Sequence, residues 1–321
     1  MRNWLVGLAL TVAAAPGWAQ DWPTRPMTLI VPFAAGGPVD VAARVVAPRI
    51  SEILGQQIII ENIGGAGGMT GSNRVAKAPG DGYSLVMGTT GTHASNQILY
   101  KKPMYAMSEF APVTLVLENT KVLLVRKTLD VAKLPDFVSH VKANHARMQF
   151  GSAGTGSATH LGCLLFNAKL GVEVTHVPYR SSGQAMQDLV AGRIDYVCEV
   201  ISTALPHIQS DSVKALALLS PTRSQVLPEL PTALEQGLAD VDSDGWNSLF
   251  MPRSTPEAIV RKLADATSQA LDTPAVRERL LGLGLKLPTP DRRGPEYLAT
   301  LVQQEIDKWT GPIKAAGVSA D

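Results

Sequence analysis

Short apolar runs rich in β-branched residues alternate with helix-length segments along most of the chain. Met27 to Phe33 is such a run, and Val39 to Leu54 after it shows helical periodicity. Gln57 to Glu61 has the continuous apolar character of a strand that is buried on both faces. The alternation continues with apolar runs at 84–88, 148–151, 174–177, 194–200 and 213–219. Strands that alternate with helices predict parallel sheets with right-handed crossovers, and therefore an α/β fold.

Two further stretches depart from this alternation. Residues 111–125 hold two apolar runs with no helix between them, and 245–251 form a comparable run far downstream. We interpret both as hinge strands that carry the chain from one lobe to another and back. About 300 mature residues also exceed what one hydrophobic core usually organises. The sequence therefore predicts two discontinuous α/β lobes joined by hinge strands, one formed by 20–122 plus 246–321 and the other by 123–245.

Residues 1–19 have the pattern of a secretory signal peptide. Arg2 supplies a positive charge, Trp4 to Ala15 is apolar and uncharged, and small residues follow at Gly17 and Ala19. We predict export to the periplasm, with a mature chain that begins near Gln20 or Asp21. An uncleaved membrane anchor is the alternative, because the two kinds of signal differ only in cleavage.

The charges of the chain are nearly balanced, with 29 lysines and arginines against 28 aspartates and glutamates. No basic stripe is available to neutralise a phosphate backbone, so the sequence argues against nucleic-acid binding. An anionic small molecule is compatible with this balance, because backbone N–H groups at helix N-termini bind anions without lysine or arginine.

The two cysteines are Cys163, in a helical stretch, and Cys198, at the end of a strand-like run. Export would permit a disulfide between them. Apolar residues flank each cysteine, however, and free cysteine commonly packs as a small apolar side chain, so we expect two buried thiols. The chain has neither a CxxC motif nor a His/Cys cluster, and we predict no metal site.

Four connections from a strand to a helix are rich in glycine, serine and threonine, and they supply most candidate ligand-binding residues. Glycine lets the backbone approach a ligand closely, and the following helix points free N–H groups into the same space. The first loop contributes Phe33, Ala34, Ala35, Gly36, Gly37, Pro38 and Asp40, and the second contributes Ser152, Thr155, Gly156, Ser157, Thr159 and His160. A tight turn alone would explain the glycines of the first loop equally well. Because the two loops fall in different predicted lobes, together they predict a shared anion site.

The remaining candidates are Thr89, Thr92 and His93 in the third loop, Tyr179, Arg180 and Ser181 in the fourth, and Glu199 at a strand end. Arg180 can hold a carboxylate through two parallel hydrogen bonds, although lone arginines more often form surface ion pairs. His93 and His160 can donate hydrogen bonds to a ligand or, equally, satisfy nearby backbone groups. Glu199 can receive a ligand ammonium or hydroxyl group, or lie at the rim.

Motifs typical of nucleotide-binding proteins and of hydrolases are missing from the sequence. Residues 64–68 resemble a dinucleotide loop, but Thr70 stands where the last glycine of GxGxxG belongs. There is no P-loop motif and no GxSxG nucleophile motif. We therefore predict a binding protein with no catalytic residues and no cofactor. An exported hydrolase or transferase on a similar α/β scaffold is the alternative, and it would need a nucleophile within hydrogen-bond reach of a base.

At these loops the chain resembles the Bug family, the TctC-like extracytoplasmic solute receptors of tripartite tricarboxylate transporters. Five segments carry the resemblance along nearly the whole mature chain: WPTRPMTLIVPFAAGGPVDVAAR, IIIENIGGAGGMTGSNRVAKAPGDGYSLVMGT, FAPVTLV, FGSAGTGSATHLGCLLF and VPYRSSGQAMQDLVAGRIDY. The resemblance implies a periplasmic binding protein type II-like fold that closes on a small carboxylate. The ligand classes it implies are dicarboxylates, tricarboxylates, acidic amino acids and aromatic acids. It also implies that the loops at 33–40 and 152–160 surround the carboxylate through backbone groups and water.

The implied partners are membrane subunits resembling TctA and TctB, or a sensor, and a monomer suits hinge closure. The chain departs from the family pattern at three places. Residues 62–68 lack the arginine and proline of the usual NRPGAGG, 178–182 replace PYRGS with PYRSS, and Glu199 replaces an aspartate. The last two changes touch the distal part of the expected pocket, so they bear on which carboxylate is bound.

Overall fold

The computed structural model describes residues 22–315 and 319, so the predicted signal peptide lies outside the described residues. The apolar runs form ten strands within this part of the chain. They are β1 (Met27–Val31), β2 (Ile58–Asn62), β3 (Ser84–Thr89), β4 (Phe110–Asn119), β5 (Lys121–Arg126), β6 (Gln149–Ser152), β7 (Thr175–Pro178), β8 (Tyr196–Val200), β9 (Val213–Leu218) and β10 (Gly245–Pro252).

The strands form two five-stranded sheets, the first in the order β2-β1-β3-β10-β4 and the second in the order β7-β6-β8-β5-β9. The predicted parallel pairing is correct for β2-β1-β3 and for β7-β6-β8. It is wrong for β9, an alternating run that pairs antiparallel with β5. The stretches set apart from the alternation form β4, β5 and β10, and β5 and β10 pair antiparallel with both of their neighbours. β5 and β10 are the strands that enter a sheet after a crossing, so no crossover helix sets their direction.

The helices between the strands are α1 (Pro38–Leu54), α2 (Met69–Ala76), α3 (Asn96–Leu99), α4 (Leu134–Asn144), α5 (Ala158–Leu170), α6 (Ser182–Val190) and α7 (Ile201–Gln209). They are followed by α8 (Glu257–Asp272), α9 (Pro274–Gly282) and α10 (Pro295–Ala315), and α8 and α10 return to pack on β4. Each sheet has a buried apolar cluster on both faces. Within 22–315, no helix has the length and apolarity that a bilayer span requires.

The chain passes from the first sheet to the second between Asn119 and Lys121, with Thr120 as the single connecting residue. It returns to the first sheet at Gly245, the first residue of β10. Two α/β sheets linked in this way confirm the predicted fold class. The lobe limits at 122/123 and 245/246 stay a prediction.

Cys163 and Cys198 form a disulfide with their Cα atoms 5.3 Å apart, so the expectation of two buried thiols is wrong. Both residues are fully buried, as their apolar neighbours predict. The disulfide joins α5 to β8, and α5 packs against β8. That packing depends on the tertiary fold, and the spacing of the two cysteines along the chain does not reveal it.

Candidate functional site

Helices α1, α5 and α6 all begin at one pocket between the two sheets. Their N-terminal residues belong to the loops that follow β1, β6 and β7. The pocket therefore lies beyond the carboxyl ends of these strands, where open α/β sheets bind their ligands. The pocket has an empty volume of about 450 Å³, including the open space at its mouth. Its lining consists of Phe33, Gly37, Pro38, Val39, Thr89, Asn119, Ala153, Ser157, Ala158, Thr159, Ser181, Ser182, Val200, Trp246 and Asn247.

No charged side chain belongs to this lining in the described part of the chain. The first N–H groups of each helix have no intrahelical acceptor, and they carry the positive end of the helix dipole. Gly37, Ser157 and Ser181 are the residues immediately before α1, α5 and α6. The pocket therefore presents converging backbone donors, which suit an anion that is bound without a cationic partner.

Asp40 organises the first loop and lies outside the pocket lining. Its Oδ2 accepts hydrogen bonds from the Gly36 N–H at 3.1 Å and from Arg44 Nε at 3.0 Å. Its Oδ1 accepts one from Asn62 Nδ2 at 3.0 Å. Burial alone would raise the pKa of Asp40, but the bonds from Arg44, Gly36 and Asn62 outweigh burial and hold the pKa below its usual value. The predicted ligand contact is thus a side chain that shapes the loop.

We expect Asp40→Ala to lower the free energy of unfolding by about 1–3 kcal/mol at neutral pH, because the part-buried hydrogen bonds from Gly36, Arg44 and Asn62 are lost. Since the folded state lowers the pKa of Asp40, its contribution is full above the unfolded value of 3.8 and is lost as pH falls through the folded pKa. Urea unfolding at neutral and acidic pH measures this, with Asp265→Ala at an exposed position of α8 as the control. A stability gap between the wild type and Asp40→Ala that stays constant in acid would contradict the assignment.

The second loop is held by its own side chains. Ser157 caps α5 by accepting the His160 N–H at 3.2 Å, and Thr159 Oγ1 accepts the Ala153 N–H at 3.0 Å. The Gly156 N–H donates to His160 Nδ1 at 3.2 Å. Ser157 and Thr159 line the pocket, whereas Gly156 and His160 support the loop from behind.

The histidines predicted as donors are core residues. His93 stacks on Phe250 with ring centroids 4.0 Å apart, and burial lowers its pKa to about 3. The ring centroids of His160 and His176 are 4.1 Å apart. Burial, with a smaller contribution from His176, lowers the pKa of His160 to about 3. Thr92 bonds His93 Nδ1 at 2.8 Å and is itself fully buried. None of these three predicted residues lines the pocket.

Thr155, Tyr179 and Arg180 line a second cavity, at the outer edge of the contact between the loops. The Arg180 side chain is exposed, and the Tyr179 hydroxyl donates to Asp188 Oδ2 at 2.7 Å. Ala34 meets this region through its N–H, which donates to the Arg180 carbonyl at 3.2 Å. The structure therefore does not bring Arg180 to the central pocket.

The predicted residues that line the pocket are Phe33, Gly37, Pro38, Thr89, Ser157, Thr159 and Ser181. Ala34, Ala35, Gly36, Asp40, Ser152 and Glu199 lie in or beside the same loops without lining it. Sequence reasoning missed Asn119, Trp246 and Asn247, which the chain brings to the pocket where it crosses between the sheets. The sequence predicted hinge strands at both stretches, but successive side chains of a strand point in opposite directions, so it did not show which of them face the pocket.

Loops of the two sheets touch one another directly around the pocket. The Tyr100 hydroxyl donates to the Thr155 carbonyl at 3.0 Å, and Ala34 bonds Arg180 as described above. A Cβ atom added to Gly67 would lie 2.0 Å from the Thr155 oxygen, and one added to Gly91 would lie 2.7 Å from the Gly156 oxygen. The structure is therefore the closed arrangement of the two halves.

Residues 42–318 match the family described as the tripartite tricarboxylate transporter family receptor, TctC. The chain belongs to this receptor family. The resemblance to the Bug and TctC receptors is thereby confirmed. The family consists of transporter receptors, so this chain is a solute-binding receptor of the periplasm and not an enzyme.

Solved structures agree with the family assignment. MatC from Rhodopseudomonas palustris, solved with bound malate, is 42% identical with a TM-score of 0.89, covering 91% of this chain and 100% of that one. The periplasmic binding protein BugD is 33% identical with a TM-score of 0.90, covering 94% and 100%. A second R. palustris protein, solved with adipate, is 32% identical with a TM-score of 0.88, covering 93% and 99%. The type II-like fold of this TctC receptor follows from these similarities.

Proposed function

We propose that this TctC receptor binds a small dicarboxylate in the central pocket and delivers it, as a monomer, to membrane subunits resembling TctA and TctB. The observation that carries the proposal is the convergence of α1, α5 and α6 on a pocket without a charged lining residue. Closure moves the half that contains the first sheet against the half that contains the second, about the crossings at Thr120 and Asp244. Hinge movements of this kind need only a few residues that change their dihedral angles.

Two observations favour a dicarboxylate over the other carboxylate classes. The hydroxyl groups of Ser181 and Ser182, both buried at the pocket, have no hydrogen-bond partner among the described residues. They offer donors to a second polar group of the ligand. Malate and adipate, the ligands solved with two similar receptors, both carry two carboxylates. An acidic amino acid is less favoured, because no lining carboxylate is present to receive its ammonium group.

A part-buried serine–histidine contact behind the second loop does not support the hydrolase alternative. Ser152 Oγ lies 2.7 Å from His176 Nε2, within the reach expected for a nucleophile and a base. Burial lowers the pKa of His176 to about 4, which makes it a weak base. Ser152 also bonds the backbone of Gly154, and neither Ser152 nor His176 lines the pocket. The contact therefore holds the second loop in place.

A thermal-shift screen of malate, succinate, adipate, aspartate and benzoate tests the proposed function. We expect a dicarboxylate at a hundredfold excess over its dissociation constant to stabilise the protein by about 2.7 kcal/mol. Aspartate and benzoate are the matched comparisons for an added ammonium group and a missing second carboxylate. Stabilisation by benzoate with none by any dicarboxylate would refute the proposed class.

A further inference from the structure

Glu199 is a buried carboxyl group directly behind the pocket. It is 1% exposed at the end of β8, and its Oε1 accepts the Val200 N–H at 2.8 Å. Its Oε2 has no hydrogen-bond partner in the part of the chain that the structure describes. Ser182, the first residue of α6, lines the pocket, and its hydroxyl is likewise unpartnered by ordinary hydrogen-bond geometry. Glu199 thus has one free oxygen beside a residue that faces the ligand space.

The surroundings of Glu199 favour its neutral form. Burial raises the pKa of Glu199 to about 8, against the weaker lowering effects of the Val200 N–H, the Ser182 hydroxyl and the Lys121 ammonium group. A carboxyl group with this pKa holds its proton at neutral pH and loses it in mildly alkaline solution.

We propose that Glu199 is a positioning residue which, by holding a proton, directs the Ser182 hydroxyl hydrogen into the pocket and makes ligand binding depend on pH. The proposal rests on the proposed function, since it concerns the same pocket. The protonated carboxyl donates its hydrogen to Ser182 Oγ, so the hydrogen of Ser182 is free to donate to an anionic ligand. When Glu199 is ionised, Ser182 donates to Glu199 instead and presents lone pairs to the ligand. The negative charge of Glu199 then also repels a carboxylate across a dry interior.

Few other titratable groups face Glu199. Cys198 bonds to α5, so the neighbouring Glu199 points to the opposite face of the sheet, where α6 and α7 lie. Asp188 of α6 and His207 of α7 each stand six residues beyond the start of their helix, about 9 Å along its axis. On β5, Arg126 pairs with Asp195 at the far end of the strand.

Two charged residues, Asp40 and Lys121, lie at the same end of the second sheet as Glu199. Across the pocket, Asp40 of α1 is engaged by Arg44. Lys121 is the first residue of β5 and donates to the Ser243 carbonyl. Burial lowers the pKa of Lys121 to about 8, so Lys121 loses its charge over the same pH range as Glu199 loses its proton. Both changes would weaken the binding of an anion as pH rises, so the test must separate them.

The experiment measures malate binding by calorimetry between about pH 6.5 and 9.5 for the wild type, Glu199→Gln and the exposed-site control Glu229→Gln. If only the protonated form binds, the wild-type dissociation constant rises about tenfold by pH 9, because about one molecule in ten is then competent. Glu199→Gln keeps a neutral donor to Ser182, so we expect its dissociation constant to match the wild type at pH 6.5 and to rise clearly less than that of the wild type by pH 9, because only Lys121 then titrates. Ser182→Ala should bind about tenfold more weakly at pH 6.5.

A dissociation constant that rises equally in the wild type and in Glu199→Gln would assign the pH dependence to Lys121 and overturn the proposal. A flat wild-type profile would overturn it as well. Infrared titration of the ligand-free protein provides a test that needs no ligand. We expect the C=O band of a protonated carboxyl at pH 7, its loss by about pH 9 and its absence from Glu199→Gln. If malate binds at no pH, the proposed function fails for this ligand, while the band still decides whether Glu199 holds the proton.

Discussion

Gly67→Ala will weaken ligand binding by about a hundredfold or more while the ligand-free protein stays folded. Gly67 lies in the turn Ala66–Gly68 of the first sheet, where an added Cβ would stand 2.0 Å from the Thr155 carbonyl oxygen of the second. The backbone fixes the positions of the added Cβ and of the Thr155 carbonyl oxygen, so no side-chain rotation can relieve the clash. If the closed state loses about 3 kcal/mol relative to the open state, its population and the apparent affinity fall about a hundredfold. Calorimetry with the dicarboxylate found in the screen measures the loss.

Gly55→Ala is the matched control for Gly67→Ala. Gly67 has a φ of 59° and Gly55 a φ of 72°, so alanine meets similar backbone strain at both positions, about 1–2 kcal/mol. An added Cβ at Gly55, however, has no atom within 4 Å. We therefore expect Gly55→Ala to bind ligand as the wild type does, at a similarly reduced melting temperature. Equal affinity of the two variants would show that closure does not require the contact between Gly67 and Thr155.

Replacing Cys163 and Cys198 together by alanine should lower the free energy of unfolding by about 3–4 kcal/mol. The bond spans a sequence separation of 35 residues, and closing a loop of this size restricts the unfolded chain by that amount in the chain-entropy description. For a chain of this size, the melting temperature should fall by about 5–6 °C. Calorimetric melting with and without a reducing agent measures the change.

The reducing agent provides an internal control for the disulfide. It should lower the melting temperature of the wild type by a similar amount and leave the double alanine variant unchanged. Ligand affinity should persist in the variant, because Ser157 and Thr159 hold the start of α5 through their own hydrogen bonds. A wild-type protein that reduction does not destabilise would contradict this role for the bond.

The sequence predicted the elements that carry a periodic or compositional signal. Buried strands, glycine-rich loops and the helices after them were recognisable, and they place Gly37, Ser157 and Ser181 at one pocket. The direction of a side chain within such a loop was not recognisable. Asp40 and His160 stand one turn or less from the pocket, yet both turn back towards their own loops, where they accept the N–H groups of Gly36 and Gly156.

Features that depend on contacts distant in sequence could not be predicted either. His93 lies in a core formed with Phe110 and Phe250, and no local pattern distinguishes it from an exposed ligand-facing histidine. The antiparallel insertion of β10 depends on where the chain re-enters the first sheet, 126 positions after it leaves at Asn119. The burial of Glu199 follows from the packing of α6 and α7 against β8.

The loops that close the cleft touch through main-chain atoms, at Gly67 with Thr155, at Gly91 with Gly156 and at Ala34 with Arg180. The main-chain contacts that close the cleft are thus separate from the side chains that determine ligand selectivity. Side chains such as Ser182 and Asn247 can change, and with them the compound that is selected, while the surfaces that shut around it stay the same. A scaffold of this kind can acquire a new ligand specificity while its closing motion is unchanged.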